Sequence, residues 1–83
     1  MYRLDINNTA KRQIKQITKI DRDAVIAGLH DLQENPHIGK PLGKNLTGRY
    51  TYRVGVYRII YTIDDKDKII RVFKAGHRST VYQ

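Results

Sequence analysis

The sequence predicts an α+β domain of order β-α-α-β-β-β, with a helical hairpin packed on one face of a small antiparallel sheet. Three observations predict it. The first six residues alternate in polarity, two amphipathic stretches of helical period follow, and the second half holds three alternating stretches joined by short turns. A chain of 83 residues has room for one core, so residues 1–83 are expected to form a single domain.

In "MYRLDI" the side chains of Tyr2, Leu4 and Ile6 share one side, the period of a strand. "NNT" interrupts it, and Asn7, Asn8 or Thr9 suits a helix N-cap, where a short side-chain oxygen accepts from a first-turn N–H. Ala10, Ile14 and Ile17 then recur at i, i+4 and i+7 while Lys11, Arg12 and Lys15 face water. Asp21 and Asp23 open a second helix, with negative charge at its positive dipole end. Val25, Leu29 and Leu32 form its apolar stripe, and Pro36 after Asn35 stops it. From Asn35 to Gly48 the composition shifts to Pro, Gly, Lys and Asn, which reads as a surface loop. Three strands follow at about 50–54, 57–64 and 69–76. Gly55 marks the first turn between them and Asp64–Asp67 the second; both are too short for a parallel crossover, so these strands form an antiparallel meander. The first strand returns to that sheet, and the helices cover one face and leave the other open.

Charge is unevenly placed. Sixteen Lys and Arg against eight Asp and Glu give a formal charge of +8. Residues 1–42 hold seven basic and five acidic side chains, and residues 43–83 hold nine and three, so the second half carries +6 of the total. A basic half points to a phosphate backbone, an anionic membrane surface or an acidic protein partner. With no cysteine, disulfides and cysteine-ligated zinc or iron–sulfur sites are excluded. His30, His37 and His77 lack ligand spacing, so no metal and no other cofactor is expected. Neither a signal-peptide pattern nor an apolar run near the ~20 residues of a membrane span is present, which predicts a cytoplasmic chain without a membrane partner.

The segment Arg49–Ile63, "RYTYRVGVYRIIYTI", places arginines within strands. The period of two puts Tyr57, Ile59, Tyr61 and Ile63 on the core side and Arg58, Ile60 and Thr62 on the other. In the preceding strand Tyr50, Tyr52 and Val54 share one face, and Thr51 and Arg53 the opposite one. Arg53 and Arg58 flank the tight turn, so both project from the open face, with Lys44 and Arg49 in the loop leading to it and Lys74 on the last strand. That surface suits a phosphate backbone; the alternative is that the arginines only guard an exposed sheet against aggregation. A helix-turn-helix DNA reader is disfavoured, because Asp21 and Asp23 sit where a recognition helix would meet base edges.

The last strand leads into "GHRSTVY", Gly76 to Tyr82. Together with "YRVGVYRIIYTID" (Tyr52–Asp64) and "NPHIGKPL" (Asn35–Leu42) after two helices, this resembles the RelE/ParE superfamily, the toxins of type II toxin–antitoxin systems, on its RelE side. The resemblance covers essentially the whole chain. It implies a RelE/ParE-like fold and an endoribonuclease, an mRNA interferase that cuts mRNA in the ribosomal A site and inhibits translation. It also implies a cognate acidic antitoxin of RelB type, with operator DNA bound only through the toxin–antitoxin complex. Carried over by motif, the catalytic residues are Arg53, Arg58, Arg78 and Tyr82. Cleavage by a ribose 2′-hydroxyl needs that hydroxyl deprotonated, a dianionic phosphorane stabilised and the leaving oxygen protonated. Guanidiniums suit the second task, being planar, permanently charged and bidentate toward phosphate. Their pKa, above about 12, suits them poorly to the other two. Tyr82 would stack on a base or handle a proton.

One departure stands out: many relatives carry a basic residue where this chain has Thr51. His77, the motif side chain that titrates near neutrality, is then a candidate proton carrier, provided that a bend after Gly76 turns it toward the arginines. Two alternatives remain open, a ParE-like gyrase poison of the same fold and a nucleic-acid-binding module without catalysis.

Overall fold

The computed structural model describes residues 1–43 and 48–79. Strand β1 (Arg3–Ile6) leads into helices α1 (Asn8–Gln16) and α2 (Lys19–Glu34), which are followed by a 3-10 turn at Pro36–Ile38. Four further strands complete the chain: β2 (Lys40–Pro41), β3 (Tyr50–Val54), β4 (Tyr57–Asp64) and β5 (Ile69–His77). They form one sheet in the order β1-β5-β4-β3-β2. The meander β3-β4-β5 is antiparallel as the turns require, but β1 joins β5 in parallel, so the sheet is mixed. The two helices between β1 and the meander carry the chain back to the start side of the sheet, which makes that parallel return possible.

Local chemistry sets the helix ends. Asn7 caps α1 by accepting from the Ala10 N–H at 2.8 Å, and Thr18 caps α2 by accepting from the Asp21 N–H. Arg22 closes the hairpin, its guanidinium donating to the carbonyls of Ile14, Lys15 and Ile17 at the end of α1, where helical partners run out. The apolar stripes then meet the sheet. Ala10, Val25, Leu29 and Leu32 bury against Ile59, Tyr61, Ile70, Val72 and Ala75, with Tyr2, Leu4, Ile6, Ile14 and Ile17 around them. Both helices therefore cover the face that the alternation assigns to the core.

Two details set the register of the other face. Gly55 adopts φ 59° and Val56 does not, the pattern of a two-residue turn with glycine in the first central place. Val54 thereby pairs with Tyr57, and Arg53 with Arg58. In β5 the pairing jumps from Tyr61–Val72 to Ile60–Lys74, leaving Phe73 as one extra residue. That bulge switches the parity of the strand, so Ala75 rather than Lys74 enters the core.

Candidate phosphate-binding groove

The unhelical face is organised in rungs, because paired residues on neighbouring strands project from the same side. Arg53, Arg58 and Gly76 form one rung; Lys40, Thr51, Ile60 and Lys74 form the next. A groove of about 370 Å³ lies over them, lined by Ile38, Lys40, Thr51, Arg53 and Arg58 among others. Ile60 is almost fully buried yet stands outside the core cluster. Beside it the Arg49 guanidinium lies over the Phe73 ring, 4.7 Å from its centroid, so the bulged residue supports a cation of this face.

Backbone carbonyls of the β3–β4 turn tie Arg53, which lines the groove, and Arg78, which follows β5. Arg53 Nε donates to the Gly55 carbonyl at 3.3 Å, and the Arg78 backbone N–H donates to the Val56 carbonyl at 2.8 Å. Both residues are thus anchored on the turn that sets Arg53 against Arg58. Among the described residues, two buried side-chain polar atoms have no hydrogen-bond partner, Thr51 Oγ1 and Arg58 Nε, and both belong to this groove. A buried donor without an acceptor costs about 1–3 kcal/mol, more when charged. No described carboxylate forms an ion pair with Lys40, Arg49, Arg53, Arg58 or Arg78. Arg71, further along β5, differs: it sits 3.9 Å from Asp5 and 3.5 Å from Asp64, so its charge is already answered. The arrangement offers fixed guanidinium donors to a tetrahedral, doubly anionic group.

The expected site residues are not all brought together. Arg53, Arg58 and Lys74 share the open face, Arg49 stacks beside them, and Arg78 follows the strand end next to the turn. Lys44 and Tyr82 lie outside the described residues. His77 takes the other side. β5 continues through it without the bend after Gly76, it pairs with Tyr57, and its ring meets the Tyr57 ring edge-on at 5.9 Å. Tyr57 in turn donates to Asp21 of α2, which fixes that pair on the helix-covered face, away from Arg58. The Ser79 N–H donates to His77 Nδ1, so in the neutral ring the proton sits on Nε2.

Sequence reasoning missed β2, and with it Lys40. The segment was expected to be loop because of its glycines and prolines, yet Lys40 precedes Pro41, a position biased toward extended backbone, and that was the available signal. Gly39 seats the strand: a Cβ there would collide with the Tyr61 hydroxyl and approach the Thr51 carbonyl to 2.9 Å. Its absence lets the Tyr61 hydroxyl donate to the Pro36 carbonyl at 2.6 Å.

Comparison with known proteins decides the family. The model described as the ParE toxin of type II toxin-antitoxin system, parDE, matches residues 4–82. The chain belongs to the RelE/ParE superfamily of type II toxins. This toxin is 31% identical over 84 residues to Toxin RelG of Mycobacterium tuberculosis, covering 99% of this chain and 97% of that protein. It is 34% identical over 84 residues to Toxin RelE of the same organism, covering 99% and 87%. In three dimensions it resembles a chain of the M. tuberculosis RelBE2 toxin–antitoxin complex, with a TM-score of 0.86 and 32% identity over 93% of this toxin and 98% of that chain. No described helix of the toxin is long and apolar enough to cross a membrane.

Proposed function

We propose that this toxin is an mRNA interferase, an endoribonuclease that cuts mRNA in the ribosomal A site and so stops translation. The observation that carries the proposal is the Arg53–Arg58 rung, with Arg58 Nε buried in the groove and lacking a protein acceptor. A donor held in that way suits the equatorial oxygens of a phosphorane, where donors fixed before the reaction have the largest effect. In this reading Arg53, Arg58 and Arg78 hold the scissile phosphate, Arg49, Lys74 and Lys44 track the backbone, and Tyr82 stacks on a base. The similarity to toxins named RelE and RelG supports a ribonuclease over other poisons.

The partner in this proposal is a cognate antitoxin whose acidic segment folds on the toxin, since a charge of +8 favours a polyanionic chain as well as RNA. The similar RelBE2 chain was itself solved in a toxin–antitoxin complex. Operator DNA is contacted through that complex, and the site of action is the cytoplasm, where ribosomes are. A second reading, gyrase poisoning, is favoured by the description of the matching family model. Controlled expression separates the two. An interferase arrests growth with mRNA cuts at A-site codons, mapped by primer extension, and Arg58→Ala and Arg78→Ala remain soluble and lose toxicity. Arrest with intact mRNA and a DNA-damage response overturns the interferase reading in favour of gyrase. Co-expression with neighbouring small reading frames should identify one that rescues growth and co-purifies.

A further inference from the structure

Among the described residues three cations line the groove, Lys40, Arg53 and Arg58, and only one of these is of a type that gives up a proton readily. Lys40 reaches the groove through backbone geometry. Its Cα partner across the β2–β3 pair is Thr51, so its side chain projects on the same face as Thr51, one rung from the Arg53–Arg58 pair. The strand that carries it is tied on both sides: Tyr61 bonds the Pro36 carbonyl before it, and the Leu42 N–H donates to the Arg49 carbonyl after it at 2.7 Å. No described carboxylate pairs with its ammonium. Of the other side chains at this end of the sheet that carry a transferable proton, His77 faces the helices, and Lys74, at the β5 end of the rung that Lys40 begins, is not among the described residues that line the groove.

We infer that Lys40 is a catalytic residue of the toxin, the acid that protonates the leaving oxygen; this rests on the interferase reading. In that reaction the ribose 2′-oxygen forms a bond to phosphorus as the bond from phosphorus to the 5′-oxygen breaks. The electron pair of the broken bond passes to the 5′-oxygen, which takes a proton from the Lys40 ammonium. The 2′-hydroxyl proton is lost to solvent, and the neutral amine recovers one from solvent. The products are a 2′,3′-cyclic phosphate and a 5′-hydroxyl, with no change in oxidation state. The arginines stabilise the phosphorane and keep their protons.

A leaving group that needs no proton isolates this role. Ribosomes programmed with mRNA are offered the scissile linkage either native or with sulfur in place of the 5′-oxygen, since a thiolate leaves unprotonated. On the native linkage Lys40→Met and Lys40→Arg should each lose about 100-fold or more in single-turnover rate. On the 5′-thio linkage both should return close to the wild-type rate, whereas Arg58→Met should stay slow on both. Adding Thr51→Lys to Lys40→Met should restore part of the native rate, because the new ammonium stands on the same rung. A Lys40→Met toxin that matches wild type on the native linkage overturns the inference, and so does a slow variant that the thio linkage fails to rescue. If wild type cuts neither linkage, the interferase reading itself falls and Lys40 with it. If wild type cuts and Lys40→Met cuts equally well, only the inference about Lys40 falls.

Discussion

The two faces of this sheet are made by the same strands and differ in how fully their buried side-chain polar atoms find partners. On the helix side Tyr61 donates to Pro36, Tyr57 to Asp21, Tyr52 to Asp31, and the Ala75 N–H to Gln13. On the open side Arg58 Nε and Thr51 Oγ1 are buried without partners, and no described carboxylate pairs with Arg49, Arg53, Arg58 or Arg78, although Arg71 further along has two. Alternate residues of β4 serve both, Tyr57, Ile59 and Tyr61 one way and Arg58 the other. A face whose described buried side-chain polar atoms have partners supports folding. Orphaned donors oppose folding by about 1–3 kcal/mol each, and they are the groups left available for a ligand. If the proposed function is carried by the open face, stability and function are separable face by face, and mutations should sort accordingly.

The largest stability effect is expected on the helix side. Leu32 is fully buried, and Leu32→Ala should cost about 2–5 kcal/mol in urea unfolding through lost transfer energy and a cavity. Cleavage by the fraction that remains folded should be unchanged. An effect on cleavage without one on unfolding would break the separation.

Tyr61→Phe should come next, at about 1–3 kcal/mol, because it leaves the Pro36 carbonyl without its donor. It carries a pH signature as well. Burial pushes the Tyr61 phenol up from its ordinary 10.0 to about 12. Between those values the unfolded chain has released the proton and the folded chain still holds it. The stabilisation is thus complete below pH 10 and fades as pH rises toward 12. Tyr57 and Tyr52 are also raised, chiefly by burial and then by Asp21 and Asp31, so Tyr61→Phe should flatten the alkaline decline without abolishing it.

Arg71→Ala should be the smallest of the series. Its two carboxylate partners are exposed or half-exposed, and such pairs contribute about 0–1 kcal/mol. If Arg71→Ala reduces cleavage as much as loss of Arg58 does, overall positive charge matters more than the groove.

Much of this contrast was legible beforehand. Tyr57, Ile59 and Tyr61 alternating with Arg58 gave the two faces, Gly55 gave the turn, and Asn7 was among the caps expected. What escaped has a physical reason in each case. A period of two carries no direction, so β1 could not be known to pair in parallel with a strand more than sixty residues away. The bulge at Phe73 is a one-residue shift of parity, set by tertiary packing, and it decides that Ala75 and His77 face the helices. Lys40 was hidden in a two-residue strand that exists because β3 is there to pair with it.

The central claim is that the Arg58 face is built for a phosphate at some cost to the fold. Arg58→Met removes the charge and the buried Nε while keeping most of the side chain's volume. Its unfolding free energy and its A-site cleavage rate, measured on the same preparation, test the claim directly. Stability should hold or rise, since an unpartnered buried donor has been removed, while the rate falls by about 100- to 1,000-fold. A variant that unfolds more easily and still cuts at the wild-type rate would contradict it.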